Sequence, residues 1–274
     1  MNAMYTPKQI LNGAPNARDL GGIETSDGRT VKYNRLIRSG GLWNIDDDDI
    51  AYLKEIGLKK VVDFRTMQER LERPDKIIDG VEYIVCPMLD RETDGITRDA
   101  PLTDDEEAIE TIKMAKRIMT LGRDGRAQMK SLYPILVTLE HSLSHYRRFF
   151  DILLDNEDGA VLYHCSMGKD RVGTGTALVL SALGVPRDTI VADYMITAER
   201  CAPGTECLIQ NCRKFVDDEE TLDFIRWLDM VQEDFILAAL ETVDNVHGGM
   251  DSFLREQMGL DDTKLSKLRD MYLE

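Results

Sequence analysis

Positive charge is scarce in this chain. Its 274 residues carry 34 Lys and Arg against 50 Asp and Glu, a formal net charge of −16. That balance argues against a general nucleic-acid binder and gives no long-range attraction for an anionic ligand. Polybasic clusters that would hold a protein on an anionic membrane are missing. No apolar run approaches the length of a membrane span, so no stable membrane insertion is expected. The first residues, MNAMYTPKQILNG, lack a basic region followed by an apolar core. No signal peptide is expected, and the expected compartment is the cytoplasm. Cysteine is sparse and odd in number, five in all, which fits a reducing compartment better than a disulfide framework. Histidine numbers only four. His141 and His145 could share a helix face, but they lack an acidic or cysteine partner at zinc-enzyme spacing. Cys201, Cys207 and Cys212 are spaced more widely than zinc pairs. No metal and no other cofactor is expected. Repeats, low-complexity tracts and clear linkers are absent, and residues 1–274 read as a single domain.

What is present centres on residues 160–184, AVLYHCSMGKDRVGTGTALVLSALG. Ala160 to His164 is an apolar run of the length of a buried strand. From Val172 an apolar pattern resumes at helical length and stops at Gly184-Val185-Pro186, a plausible cap followed by a residue that cannot continue the helix. Strand, tight loop, helix is the reading. A loop closing onto a helix N-terminus presents unpaired amides and partial positive charge, which makes an anion site. Cys165 opens that loop in a field that favours a thiolate, and Arg171 closes it with a planar guanidinium able to grip two phosphate oxygens. The implied chemistry is attack on phosphorus, a phosphocysteine intermediate and hydrolysis by water.

The string HCSMGKDR resembles the Cys-x5-Arg signature of the protein tyrosine phosphatase superfamily. It is closest to the bacterial and fungal branch with Gly-Lys-Asp-Arg in the loop, some of whose members also act on phosphoinositides. Other blocks resemble the same branch: Asn16 to Gly22 (NARDLGG), Arg38-Ser39-Gly40, Asp63-Phe64-Arg65-Thr66 followed by Glu69, and Asp193-Tyr194. The resemblance covers most of the chain except 91–157. Two other phosphate motifs fail. Tyr163 stands where Walker A needs a glycine, and Leu178 stands at the third glycine of a dinucleotide fingerprint.

Taken in order, Thr30 to Tyr33 and Leu36 to Arg38 read as short strands. Arg18 and Arg38 are expected to form structural ion pairs, with lining of the anion site as the alternative. Asp46 to Asp49 read as a helix start, not a calcium loop. Leu58 to Phe64 and Val81 to Met88 read as strands. Asp63 and Arg65 either orient the nucleophile loop or bridge each other. Residues 91–157 read as a helical insertion or lid, with helices over 103–119 and 131–155. Further helices are expected over 187–200 and 219–244, and a final pair joined at Gly259-Leu260.

The expected fold is α/β, a mainly parallel central sheet flanked by helices, phosphatase-like, with the helical lid. The expected activity is hydrolysis of phosphomonoesters, with protein phosphotyrosine as substrate. A phosphoinositide phosphatase and a phospho-binding module with little turnover are the alternatives. A rhodanese-like sulfur carrier is disfavoured by the Lys-Asp-Arg string. Cys165 is the nucleophile and Arg171 the phosphate clamp. Asp170 is the first choice of general acid, and Asp90, just past a strand, is the rival. His164, Ser166, Met167, Gly168, Lys169 and Arg65 are expected to bind or frame the substrate. The resemblance implies a Ser or Thr after the arginine to assist breakdown of the phosphoenzyme. Val172 stands there, with Thr174 or Ser166 as substitutes, so slow turnover and a measurable phosphoenzyme are expected.

Overall fold

Alternation along three neighbouring strands sets the architecture, because successive side chains of a strand point to opposite faces. Ala160 and Leu162 join Ile37, Leu58 and Val61 in a smaller apolar cluster on one face. Val161 and Tyr163 join Leu36, Val62 and Phe64 in a much larger cluster on the other. The computed structural model describes residues 7–90, 104–122 and 124–274. The first part of the expected insertion, residues 91–103, and Arg123 lie outside the described residues.

Among the described residues the sheet has five strands: β1 (Arg18–Asp19), β2 (Leu36–Ser39), β3 (Leu58–Asp63), β4 (Glu82–Val85) and β5 (Ala160–His164). Their order is β1-β2-β5-β3-β4. Only the β1–β2 pair is antiparallel. The central strand, β5, lies between two parallel partners and is buried along its whole length. Such a strand, satisfied on both edges and covered on both faces, tolerates the continuous apolar run seen in the sequence. The expected strand over Thr30–Tyr33 is instead two isolated bridges, Glu24 with Thr30 and Val31 with Leu273.

Helix α1 (Asp47–Glu55) contributes Leu53 to the smaller cluster. Its acidic start is a capping device: Asp46 accepts from the Asp49 amide at 2.8 Å, and the Asp49 carboxylate takes the amides of Asn12 and Gly13. Helices α2 (Met67–Glu72), α3 (Asp104–Thr120), α4 (Gly125–Leu136) and α5 (Glu140–Leu154) follow. The expected helix over 131–155 is two helices, broken at Val137–Leu139. The second differs in kind from a lid. Tyr146 and Phe149 of α5 pack edge-on against Phe64, with centroids 6.1 and 5.1 Å apart, so α5 belongs to the main core.

Helix α6 (Asp170–Leu183) is buried on nearly every side and ends at Gly184, whose φ of 87° is the left-handed cap expected. Helix α7 (Arg187–Cys212) runs on through Pro203, past the expected end at Arg200. Pro203 and Glu199, whose carbonyl loses its amide partner, are both exposed, so water can replace the missing bond. The expected helix 219–244 is α8 (Glu219–Asp229) and α9 (Glu233–His247), separated by an extended Met230. The chain closes with α10 (Met250–Glu256) and α11 (Asp262–Tyr272), the latter capped by Asp261 as expected. No helix among the described residues is long and apolar enough to cross a membrane.

Candidate active site

The sheet delivers Cys165 to the C-terminal end of its central strand, and α6 begins five residues later. The loop between them is held by its carbonyls. Ser166 O accepts from the Gly41 amide at 3.0 Å. Gly168 O accepts from Asn16 Nδ2 at 2.7 Å and from Arg38 Nη2 at 2.9 Å. In a trans peptide the next N–H points opposite to the carbonyl, so the Met167 and Lys169 amides turn away from these anchors. Gly168 has φ 66°, and a Cβ there would lie 2.6 Å from the Ser39 carbonyl carbon. Only glycine fits that contact in that conformation.

Behind the loop, Arg18 Nε and Arg38 Nη1 share one buried carboxylate, Asp193, at 2.9 and 2.8 Å. Burial opposes ionisation of Asp193, but the two guanidiniums win and hold its pKa below the usual value. Two guanidiniums on one carboxylate leave a net positive charge under the loop, in a chain whose overall charge is −16. The ion pairs expected for Arg18 and Arg38 are therefore present, and Arg38 also touches the loop.

A second network lies under His164. Arg65 Nη2 meets Asp63 at 2.7 Å and Asp75 at 2.6 Å, and its Nη1 donates to the Arg73 carbonyl. His164 Nε2 lies 3.2 Å from Asp75 Oδ2, and Nδ1 lies 3.2 Å from the Cys165 carbonyl. Burial disfavours the imidazolium, yet Asp63 and Asp75 outweigh it and raise the His164 pKa. These two carboxylates and the imidazole could in principle ligate a metal, since their atoms lie within 4.8 Å. The Arg65 guanidinium already bridges both carboxylates, so a further cation would meet a positive charge. His141 and His145 stack at 4.4 Å, but their ring nitrogens go to the carbonyls of Pro87 and His141.

Arg171 is fixed end-on. Nη1 and Nη2 each donate to one oxygen of Glu69 at 2.7 Å. The same carboxylate accepts from Ser166 Oγ and from the Thr66 amide. Glu69 is the third residue of α2, in a capping box with Thr66. Burial pushes its pKa up, but Arg171 and the hydrogen bonds lower it to about 2. Asp170 opens α6 and accepts from Tyr133 Oη at 2.6 Å. Burial first, then Asp170, raises the Tyr133 pKa well above 10. Tyr133 thus keeps one proton and gives it to Asp170. The adjacent Tyr194 hydroxyl, in hydrogen-bond contact, must then donate to Tyr133.

One pocket gathers Cys165, Ser166, Met167, Lys169, Asp170 and Arg171 of the loop. Trp43, Leu89, Met129, Leu132 and Leu228 supply its apolar walls. Three expected positions differ. His164 is fully buried behind the loop, and Gly168 is pressed against Ser39 and Gly40. Arg65 reaches the pocket wall, but Nε and both terminal nitrogens already have partners in Asp63, Asp75 and Arg73. Leu89 lines the pocket and Asp90, next in sequence, does not. Sequence reasoning missed Glu69, Tyr133 and Asp229 as site residues. Glu69 had a signal in the Thr66-x-x-Glu69 capping box; the other two come from helices far along the chain.

A strand-borne cysteine, a helix N-terminus and a clamped arginine share one pocket, an arrangement that suits a cysteine-dependent phosphatase. Residues 10–274 match the model of the tyrosine phosphatase family. The chain is similar to the triple specificity protein phosphatase PtpB of Mycobacterium tuberculosis, 27% identical over 284 residues covering 96% of this chain and 98% of that one. A Cupriavidus necator protein, placed provisionally by its name among the tyrosine-protein phosphatases, is 27% identical over 94% of this chain and 85% of its own. A tyrosine-protein phosphatase of Nostoc commune is 27% identical over 61% of this chain and half of its own length. This chain belongs to the tyrosine phosphatase family. It is a phosphatase that acts on phosphorylated substrates, and the cysteine mechanism is the one consistent with that family.

Proposed function

We propose that the physiological substrate is protein phosphotyrosine and that residues 165–171 carry the reaction. The observation that carries this reading is the shared pocket of Cys165, Lys169, Asp170 and Arg171, walled by Trp43 and apolar side chains suited to an aromatic ring. Cys165 attacks phosphorus and the tyrosine oxygen leaves. Glu69 takes the end-on face of Arg171, so the Nε–Nη2 edge serves the equatorial oxygens, assisted by the Met167 and Lys169 amides. These contacts tighten as charge spreads in the transition state. Asp170 donates the proton to the leaving oxygen, positioned by the Tyr194–Tyr133 relay; a role for Asp90 is the less supported choice because it lies outside the pocket lining. Water then cleaves the phosphocysteine. Ser166 already donates to Glu69, so Thr174, buried near Tyr146 as the fifth residue of α6, is the better substitute for the hydroxyl missing at Val172.

A second reading, phosphoinositide hydrolysis, rests on a lysine of the loop, Lys169, that lines the pocket with Cys165 and Arg171. The five free thiols suit a cytoplasmic setting. We further assign residues 1–274 to one domain whose cap comprises α3, α4 and α8. The test is phosphate release in reducing, metal-free buffer from a phosphotyrosine peptide, a phosphoserine peptide and a phosphoinositide. Fastest release from phosphotyrosine, lost in Cys165→Ser, is expected, with a rapid-quench phosphoenzyme burst. Release that survives Cys165→Ser overturns the mechanism.

A further inference from the structure

The lysine of the phosphate loop already has an anion. Lys169 is 5% exposed, and its ammonium donates to the main-chain carbonyl of Asp229. The Asp229 carboxylate stands 3.5 Å from the same nitrogen. Asp229 is the last residue of α8, so its carbonyl belongs to the helix end where partial negative charge gathers. The other carboxylate oxygen accepts from Thr205 Oγ1 of α7 at 2.6 Å, which fixes its direction. Asp229 and Leu228 also line the pocket. The cap thus supplies one carboxylate and one helix terminus to a cation of the phosphate loop.

We propose that Asp229 is a specificity-determining residue: by holding Lys169, it selects for substrates with a single anionic group at the scissile end and against those with a second phosphate on the neighbouring carbon. The inference rests on the placement of the phosphate site at residues 165–171. A second phosphate on the adjacent carbon of a cyclitol ring enters the pocket with the first. It meets Lys169 only by displacing Asp229, and it meets the Asp229 charge if it does not. A tyrosine ring carries no second anion at that depth. Peptide carboxylates flanking phosphotyrosine lie a whole aromatic ring farther out, so their contribution does not pass through Lys169.

Binding separates this from turnover. The inactive Cys165→Ser protein is titrated calorimetrically with phenyl phosphate and with water-soluble inositol 4,5-bisphosphate, before and after adding Asp229→Asn. The amide keeps the side-chain shape and an oxygen for Thr205, but removes the charge. The expected result is a rise of about tenfold in affinity for the bisphosphate relative to phenyl phosphate, the size of one lost charge contact. Adding Lys169→Gln should erase that gain, and Asp229→Glu should restore the original preference. Equal changes for both ligands, or a gain that survives Lys169→Gln, would overturn the proposal. Should Asp229→Asn fail to fold, Thr205→Val decides: without its anchor the Asp229 carboxylate holds Lys169 less firmly, so affinity for the bisphosphate should rise relative to phenyl phosphate. An unchanged ratio would overturn the proposal. Loss of phosphate release in the wild-type protein would instead count against the phosphatase mechanism, and these titrations do not depend on it.

Discussion

The floor of the pocket and its cap are held by different physics. Below, the loop rests on ion pairs with almost no solvent exposure: Asp193 between Arg18 and Arg38, Arg65 between Asp63 and Asp75, and Glu69 on Arg171. Above, α3 is tied to the end of α2 by Arg73–Glu107 at 3.5 Å, with both side chains about a quarter exposed. Further cap pairs, Arg126–Asp234 and Lys214–Asp105, have side chains 29% to 56% exposed. Buried charges gain from mutual attraction only with full hydrogen bonding, and losing one partner strands the other. Exposed pairs exchange for water at little cost. The floor is therefore fixed and the cap replaceable. Asp229–Lys169 is the exception, a buried pair that joins the two.

The largest break should come from Asp193→Ala, which strands two buried guanidiniums. It should cost about 3–5 kcal/mol in denaturant unfolding, with Asp193→Asn milder. A loss below about 1 kcal/mol would mean that water replaces the carboxylate and that the floor is not fixed by this pair. The next effect is acid sensitivity through Glu69. Its folded pKa of about 2 lies below the ordinary 4.5, so its contribution is complete above about pH 4.5 and fades as pH falls toward 2. Integrated over that window it amounts to roughly 3 kcal/mol. Urea midpoints of wild type and Glu69→Gln should converge as the pH drops through that window, and parallel curves would remove the claim. The smallest effect belongs to the cap. Glu107→Gln should change stability by less than about 1 kcal/mol, read from the same midpoints.

Much of the floor was legible in sequence because it is local or periodic. The β5–loop–α6 unit announces itself within 25 residues by an apolar run, a polar loop and a second apolar pattern. The acidic tract at Asp46 to Asp49 is a cap for the same local reason. Breaks within helical patterns were harder. Residues 131–155 and 219–244 each keep a helical period across a break, since a turn of two or three residues hardly disturbs an apolar stripe. The helix expected over 187–200 runs on to Cys212, through Pro203, because an exposed proline can be carried where water replaces the lost bond. Tyr133 and Asp229 were invisible, since what matters about them is contact with Asp170 and Lys169 across 37 and 60 residues of chain. Arg38 was legible as an ion-pairing residue, but its contact with Gly168 depends on how β2 registers against β5.

Helix α7 carries on one face Asp193, Thr197, Cys201 and Thr205, each four residues beyond the last and all buried. Asp193 grips the arginines under the loop, Thr197 touches Asn16, and Thr205 holds Asp229. At about 1.5 Å per residue, that stripe is a ruler roughly 18 Å long. It measures out the separation between the anchor of the phosphate loop and the anchor of the cap. Pro203 sits on its exposed side, between the two ends of the scale. A bend there would move Thr205 relative to Asp193, so the alignment of cap and floor is calibrated by the straightness of a single rod.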